Sequence, residues 1–262
     1  MGVIRRTLDL AGSARSYLIV TPPPGERPSA VVLSLHGSTS TAGRQRLLSG
    51  MDRLAGSGAV VVYPEAYRRR RGGFVWDPSV DAPFLEALIT SLVTEFDPVW
   101  RRPCLSGMSG GARMSCALAW SRPDLVGAVG AVAGVRSGAG PGPDRPVPVI
   151  AFHGTADRIN PYGGGNDARW DVSVPEAVAG WATANGVPDG PVVTALSPTL
   201  TRTSYGDGTA GEVVLWTSTG AGHTWPGGRL PLIGRLFLGR TTSEIDATSV
   251  IWAFYRSHAG DR

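Results

Sequence analysis

The chain has 262 residues, of which 42% are hydrophobic and 18% charged, a balance that fits a folded globular protein and excludes a disordered one. Its formal net charge of +4 is mild, and no nucleic-acid-binding motif accompanies its 25 basic residues, every one an arginine. No apolar run is long enough to span a bilayer, and four dispersed histidines and two cysteines offer no metal-ligand spacing, so no metal and no cofactor is expected.

The N-terminus, MGVIRRTLDL, lacks the apolar core of a signal peptide and the Ser/Thr that myristoylation requires. The expectation is a cytoplasmic protein; secretion, with the leader absent from this sequence, is the alternative. Two short strands, GVIRRTLDL and ARSYLIV, follow in succession and end at the hard turn Pro22–Gly25. AVVLSLHG (30–37) and AVVVYPEA (59–66) are apolar runs of strand length, and GRQRLLSGMDRLAGSG (43–58) between them has helical spacing. The run Arg68–Arg71 lies in a Gly-bounded stretch and reads as a solvated loop.

Residues 81–96 set Phe84, Leu85, Leu88, Leu92 and Phe96 on one helical face. A short strand, PCLSG, then leads to GMSGG and the helix GARMSCALAW. LVGAVGAVAG and VPVIAFHG (147–154) are two more buried strands, VPEAVAGWATANG (174–186) is a helix, TRTSY and EVVLWTST form a hairpin, and residues 243–258 close the chain as a helix. Val/Ile-rich strands alternating with helices predict one α/β domain over 1–262, with a mostly parallel sheet covered on both faces. Cys104 and Cys116, on either side of GMSGG, read as free buried thiols, with a local disulfide as the alternative.

GMSGG fits G-x-S-x-G, but with 36 glycines in the chain the pattern alone is weak. Its strand–turn–helix setting strengthens it, since the motif places a serine, here Ser109, on a sharp turn at the end of a strand. A serine hydroxyl needs a base to take its proton and an acid to orient that base. His36 and His153 end strands just before glycine, and His258 is C-terminal, which leaves His223 in the Gly-rich loop GAGHTWPGG. Asp157 follows a buried strand end and is the favoured acid. Asp207 has a turn-forming reason for its place, and Asp144 precedes its strand, at the wrong edge. Backbone N–H groups of Gly110 and of Ser38, or alternatively Thr39, would complete an oxyanion hole.

LHGSTS, GMSGG, FHGTADRINPY and GHTWPGG, in this order, resemble the polyhydroxybutyrate depolymerase/feruloyl-esterase-like family of α/β-hydrolases over nearly the whole chain. The resemblance implies the α/β-hydrolase fold, with an N-terminal antiparallel hairpin on its mostly parallel sheet. It also implies a serine esterase with Ser109 as nucleophile, Asp157 as acid, His223 as base and Ser38 and Gly110 at the oxyanion. Two departures stand out: such proteins often carry cysteine at the position of Ser38, and a Cys-Trp-Asn-Trp block where this chain reads GGFVWDP.

The expected substrate is a carboxylic ester, small or polymeric. A peptidase on the same fold and a catalytically silent binding protein are the other readings. Trp76, Tyr162 and Trp225 are expected as aromatic pocket walls, with core packing as the alternative. The apolar segment 226–242 reads as a cover over the site or a subunit contact, through Leu230, Leu232, Ile233, Leu236 and Phe237. Oligomeric state is left open.

Overall fold

The computed structural model describes residues 2–70, 72–140, 142–166, 170–187, 189–228 and 236–258. A ten-stranded sheet runs through it. In chain order the strands and helices are β1 (Val3–Leu10), β2 (Ser13–Val20), β3 (Ala30–Leu35), α1 (Ala42–Ser49), β4 (Ala59–Pro64), β5 (Arg68–Arg70), β6 (Gly73–Val75), α2 (Pro78–Phe96) and β7 (Cys104–Met108). They continue with α3 (Gly110–Ser121), β8 (Ala128–Val132), β9 (Val149–Gly154), α4 (Val174–Ala184), β10 (Val192–Ala195), β11 (Leu200–Tyr205), β12 (Val213–Ser218) and α5 (Ala247–His258).

The sheet order is β1-β2-β4-β3-β7-β8-β9-β12-β11-β10. The six strands from β4 to β12 are mutually parallel, and antiparallel strands extend both edges. Alternation along each parallel strand explains why these runs are apolar throughout. In β3, Val31, Leu33 and Leu35 join a core with α2, α3 and α4, while Ala30 and Val32 join one with α5 and the residues after α1. The two cysteines fall in different cores, Cys104 in the second and Cys116 in the first, and both are free. Burial pushes the Cys116 thiol up to about 11 and the Cys104 thiol higher still, so both are inert packing groups.

Several boundaries differ from the sequence reading, among them the closing helix, which starts at Ala247 rather than 243, and three differences have a local reason. The helix expected over 43–58 is two pieces, because Gly50 takes a left-handed conformation (φ 59°) that ends α1 and a 3-10 helix over Met51–Ser57 follows. The helix expected from residue 81 starts at Pro78, where Asp77 caps it by accepting from Ser79 N. Arg68–Arg70 is not loop: it is an exposed strand, β5, paired with the half-buried Gly73–Val75, β6, in a two-stranded ribbon. β10, exposed along its whole length, has no buried face to announce it and was not expected.

Candidate active site

β3, β7, β8, β9 and β12 are successive parallel strands, so the loops that leave their carboxyl ends lie along one edge of the sheet. That edge brings together Ser38, Ser109, Asp157 and His223.

Ser109 occupies the turn between β7 and α3 with φ 55° and ψ −115°, a region that side-chain-bearing residues rarely adopt. The flanking glycines have a steric reason to be there. A Cβ on Gly107 would lie 2.4 Å from the Gly111 carbonyl carbon, and one on Gly111 would lie 2.2 Å from the Leu35 carbonyl oxygen. The Ser109 N–H is anchored on Val132 O at 2.8 Å, and the side chain stands at the edge of the sheet, 8% exposed.

Asp157 and His223 form a buried pair, with His223 Nδ1 2.7 Å from Asp157 Oδ2. The other carboxylate oxygen, Oδ1, accepts the N–H groups of Ile159 and Asn160 at 2.9 and 2.8 Å. Burial opposes the charge on Asp157. Hydrogen bonds from His153 and His223, the charge of His223 and the Asn160 N–H outweigh it and hold the carboxyl well below the usual carboxylate range. The aspartate is therefore ionised at neutral pH and fixes the proton of His223 on Nδ1, leaving Nε2 as a lone-pair base.

Asn160, which the sequence reading did not single out, links Ser109 to this pair. Its Nδ2 lies 3.5 Å from Ser109 Oγ and donates to Ala133 O at 2.5 Å, and its carbonyl accepts from His153 Nε2 at 2.9 Å. Among the described residues, this is the hydrogen bond that Ser109 Oγ makes; it makes none to His223. FHGTADRINPY holds Asn160 three positions after Asp157, a spacing that signals a turn closed on the aspartate.

Two backbone N–H groups near the serine are the candidates for an oxyanion hole. A Cβ on Gly110 would lie 3.1 Å from Ser38 N, so the two segments are in close approach. Thr39 N–H is committed to Phe74 O at 2.8 Å and Ser40 N–H to Gly37 O at 3.1 Å, whereas the Ser38 and Gly110 N–H groups have no acceptor among the described residues. Between Ser38 and Thr39, geometry thus favours Ser38. The β5–β6 ribbon supplies the brace, since Phe74 also donates to Ser40 O at 2.9 Å.

The three aromatic residues separate. Trp76 lines a cleft of about 300 Å³ together with Ser38, Gly110, Arg113 and Arg136, and its Nε1 donates to His36 O at 2.7 Å. Tyr162 is set back: its ring packs edge-on against His153 and its hydroxyl meets Thr217 Oγ1 at 3.0 Å. Trp225 is 1% exposed and donates to Thr248 Oγ1 at 3.1 Å, so it is a core prop beneath the His223 loop rather than a pocket wall.

The remaining rejections have visible causes. His36 is buried, which lowers it to about 4; its Nδ1 meets Gly37 O at 2.8 Å and its Nε2 accepts from Ala66 N at 3.2 Å. Asp207 pairs with Arg202. Within 226–242, Leu230, Leu232 and Ile233 lie outside the described residues. The Leu238 and Arg240 carbonyls accept from His223 and Gly222 N–H and so hold the His223 loop. Leu236 and Phe237 are exposed along a second cleft of about 300 Å³ that His223 lines. Among the described residues no group of three or more His, Cys, Asp and Glu side chains could hold a metal ion, and no helix is long and apolar enough to cross a membrane.

The chain has the α/β-hydrolase fold. An acetyl xylan esterase from Aspergillus awamori superposes with a TM-score of 0.63 at 18% identity, covering 84% of this chain and 94% of that one. The esterase PE8 superposes at 0.57 and 18% identity, covering 92% and 97%. By sequence, the chain is 28% identical to NocK of Nocardia uniformis subsp. tsuyamanensis, a protein named as an esterase, over 86% of this chain and 75% of NocK. It is also 28% identical to the bifunctional acetylxylan esterase/xylanase XynS20E of Neocallimastix patriciarum, over 58% of this chain and 22% of that protein. No family model matches. The relatives support a carboxylic ester hydrolase.

Proposed function

We propose that the chain hydrolyses carboxylic esters through Ser109, His223 and Asp157. The observation that carries this reading is the buried Asp157–His223 pair beside a strained Ser109, with the uncommitted Ser38 and Gly110 N–H groups next to it. On substrate entry the Ser109 hydroxyl turns from Asn160 to His223 Nε2, which takes its proton as Oγ attacks the ester carbon. Such contacts are commonly loose before substrate binds. The Ser38 and Gly110 N–H groups receive the oxyanion, aided by the N-terminal end of α3. His223 then protonates the leaving alcohol, and water, activated by the same histidine, releases the acid from Ser109.

Polyhydroxyalkanoate-type and feruloyl-type esters are the finer reading that the motif resemblance favours, and an acetylated xylan is the one that the name of XynS20E adds. A cleft of about 300 Å³ on the oxyanion side suits acyl groups of modest size.

The test is hydrolysis of p-nitrophenyl acetate, butyrate and octanoate by the wild type and Ser109→Ala. A fall in kcat of about 10⁴–10⁶-fold is expected. A variant that keeps wild-type turnover overturns the reading.

A further inference from the structure

His153 ends β9 just before a glycine, the wrong place for a base, yet its ring lies inside the candidate site. The side chain is buried, and its Nε2 faces two oxygens at once, Asn160 O at 2.9 Å and Asp157 Oδ2 at 3.3 Å. A bare nitrogen lone pair aimed at a carbonyl and a carboxylate would be repelled by both. Nε2 therefore carries the ring proton and donates it to the two oxygens. Nδ1, buried and without a partner among the described residues, is the unprotonated nitrogen.

Packing holds the ring in that place. Thr217 on β12 is the register neighbour of His153 on β9, and its Oγ1 meets the Tyr162 hydroxyl at 3.0 Å. That contact sets the Tyr162 ring edge-on against the imidazole, with centroids 6.0 Å apart. Among the described residues, the titratable groups that face His153 are thus Tyr162 and Asp157, and His223 meets the same Oδ2 from the loop after β12.

Two branches leave this one N–H. Through Asp157 it reaches His223, because both imidazoles approach Oδ2, His223 at the shorter distance of 2.7 Å. Through Asn160 it reaches Ser109, because the residue whose carbonyl takes the N–H places its Nδ2 3.5 Å from Ser109 Oγ. A hydrogen bond to a carboxylate stabilises its charge and leaves it less basic towards its other donors. A second imidazole on Oδ2 therefore loosens the hold of Asp157 on the proton of His223.

We propose that His153 is a positioning residue for the triad: its single N–H, shared between Asp157 and Asn160, aligns the acid together with the neighbour of the serine and moderates the pull of Asp157 on His223. Its effect on turnover rests on the esterase reading above.

The test follows kcat/KM for p-nitrophenyl butyrate against pH in the wild type, His153→Phe and His153→Gln, with thermal melting to check folding. Phenylalanine keeps a ring and removes the donor; glutamine keeps a donor where Nε2 stood. In His153→Phe the acid limb, which reports the base of the free enzyme, should move to higher pH by about half a unit to one unit. Activity on that limb, relative to the plateau, then falls about three- to tenfold. The plateau kcat should fall too, with KM nearly unchanged, because Asn160 loses its anchor. His153→Gln should bring the limb back towards the wild type. A limb that stays in place in folded His153→Phe, or one that moves equally in both variants, overturns the proposal.

NMR gives readouts that need no turnover. The Nδ1–H proton of His223 should move downfield in His153→Phe as its bond to Asp157 strengthens, and wild-type His153 should carry its proton on Nε2. If no ester is hydrolysed, the esterase reading fails by itself; an unmoved His223 resonance would then overturn the role of His153, and a downfield shift would support it. If His153→Phe does not fold, the wild-type nitrogen-15 spectrum decides: a proton on Nε2 supports the proposal, and one on Nδ1 overturns it.

Discussion

Replacing Gly110 by alanine separates the proposed oxyanion hole from the fold. Gly110 is the first residue of α3 and its φ is not positive, so alanine is allowed there and, as the better helix former, adds to helix stability. The new Cβ would lie 2.4 Å from Ser38 Oγ and 3.1 Å from Ser38 N. Ser38 is exposed, and its hydroxyl can swing away; its backbone N–H, pinned by the neighbouring Thr39–Phe74 bond, cannot. The methyl group therefore crowds the gap between the two donors.

Losing one oxyanion donor costs about 10²–10³ in kcat, roughly 2.7–4 kcal/mol, and Gly110→Ala should reach that range with the melting temperature unchanged or slightly higher. The assay is p-nitrophenyl butyrate turnover beside thermal melting by circular dichroism. In the double variant with Ser38→Ala the Oγ contact disappears but the approach to Ser38 N persists, so kcat should stay low. A folded Gly110→Ala protein with wild-type kcat would refute the placement of the oxyanion between Ser38 and Gly110.

Asn160→Ala removes the donor that holds buried Ala133 O and neighbours Ser109 Oγ. About 1–3 kcal/mol of stability should be lost in denaturant titration, and kcat should fall, up to about 10²-fold, with KM nearly unchanged; a change in KM alone would count against a positioning role. His36 gives a pH-dependent stability term. Its imidazole titrates at 6.5 when unfolded and at about 4 when folded, so the unfolded chain takes the proton first. The contribution is fully present above about 6.5 and is lost as pH falls through about 4, amounting to about 3 kcal/mol. Urea midpoints at pH 7 and pH 4 should therefore converge between wild type and His36→Gln on the acid side; a constant gap would show that burial does not depress His36.

The candidate site is legible in the sequence where a residue's place has a local signature. The glycines around Ser109 are written in adjacent positions: Gly107 is required by a contact of the turn itself, against the Gly111 carbonyl, while Gly111 is required by the close approach of Leu35 O at the end of β3. Asp157 and His223 each follow a buried strand, and parallel strands in one sheet bring their carboxyl ends to one edge whatever the loops do. Asp207 could be set aside for the same reason, because its turn explained it.

Trp225 and Trp76 look alike in sequence, both aromatic residues in Gly/Pro-rich loops. Only the packing of α5 beneath the His223 loop, with Thr248 meeting Trp225 Nε1, sent one to the core and left the other on the cleft.

The sequence by itself determined the alternation of buried strands and helices, the strand–turn–helix at Ser109 and the order of Ser109, Asp157 and His223. These are set by short-range patterns: apolar period, glycine at tight turns, and residue type after a strand. Tertiary structure alone ties up the Thr39 N–H and leaves that of Ser38 without an acceptor among the described residues, because Phe74, 35 positions away, takes the Thr39 hydrogen bond. It also brought Asn160 to Ser109 and stacked Arg113 and Arg136 on Trp170. Each of these depends on which backbone or ring lies across a gap between segments distant in the chain, and no local pattern records that.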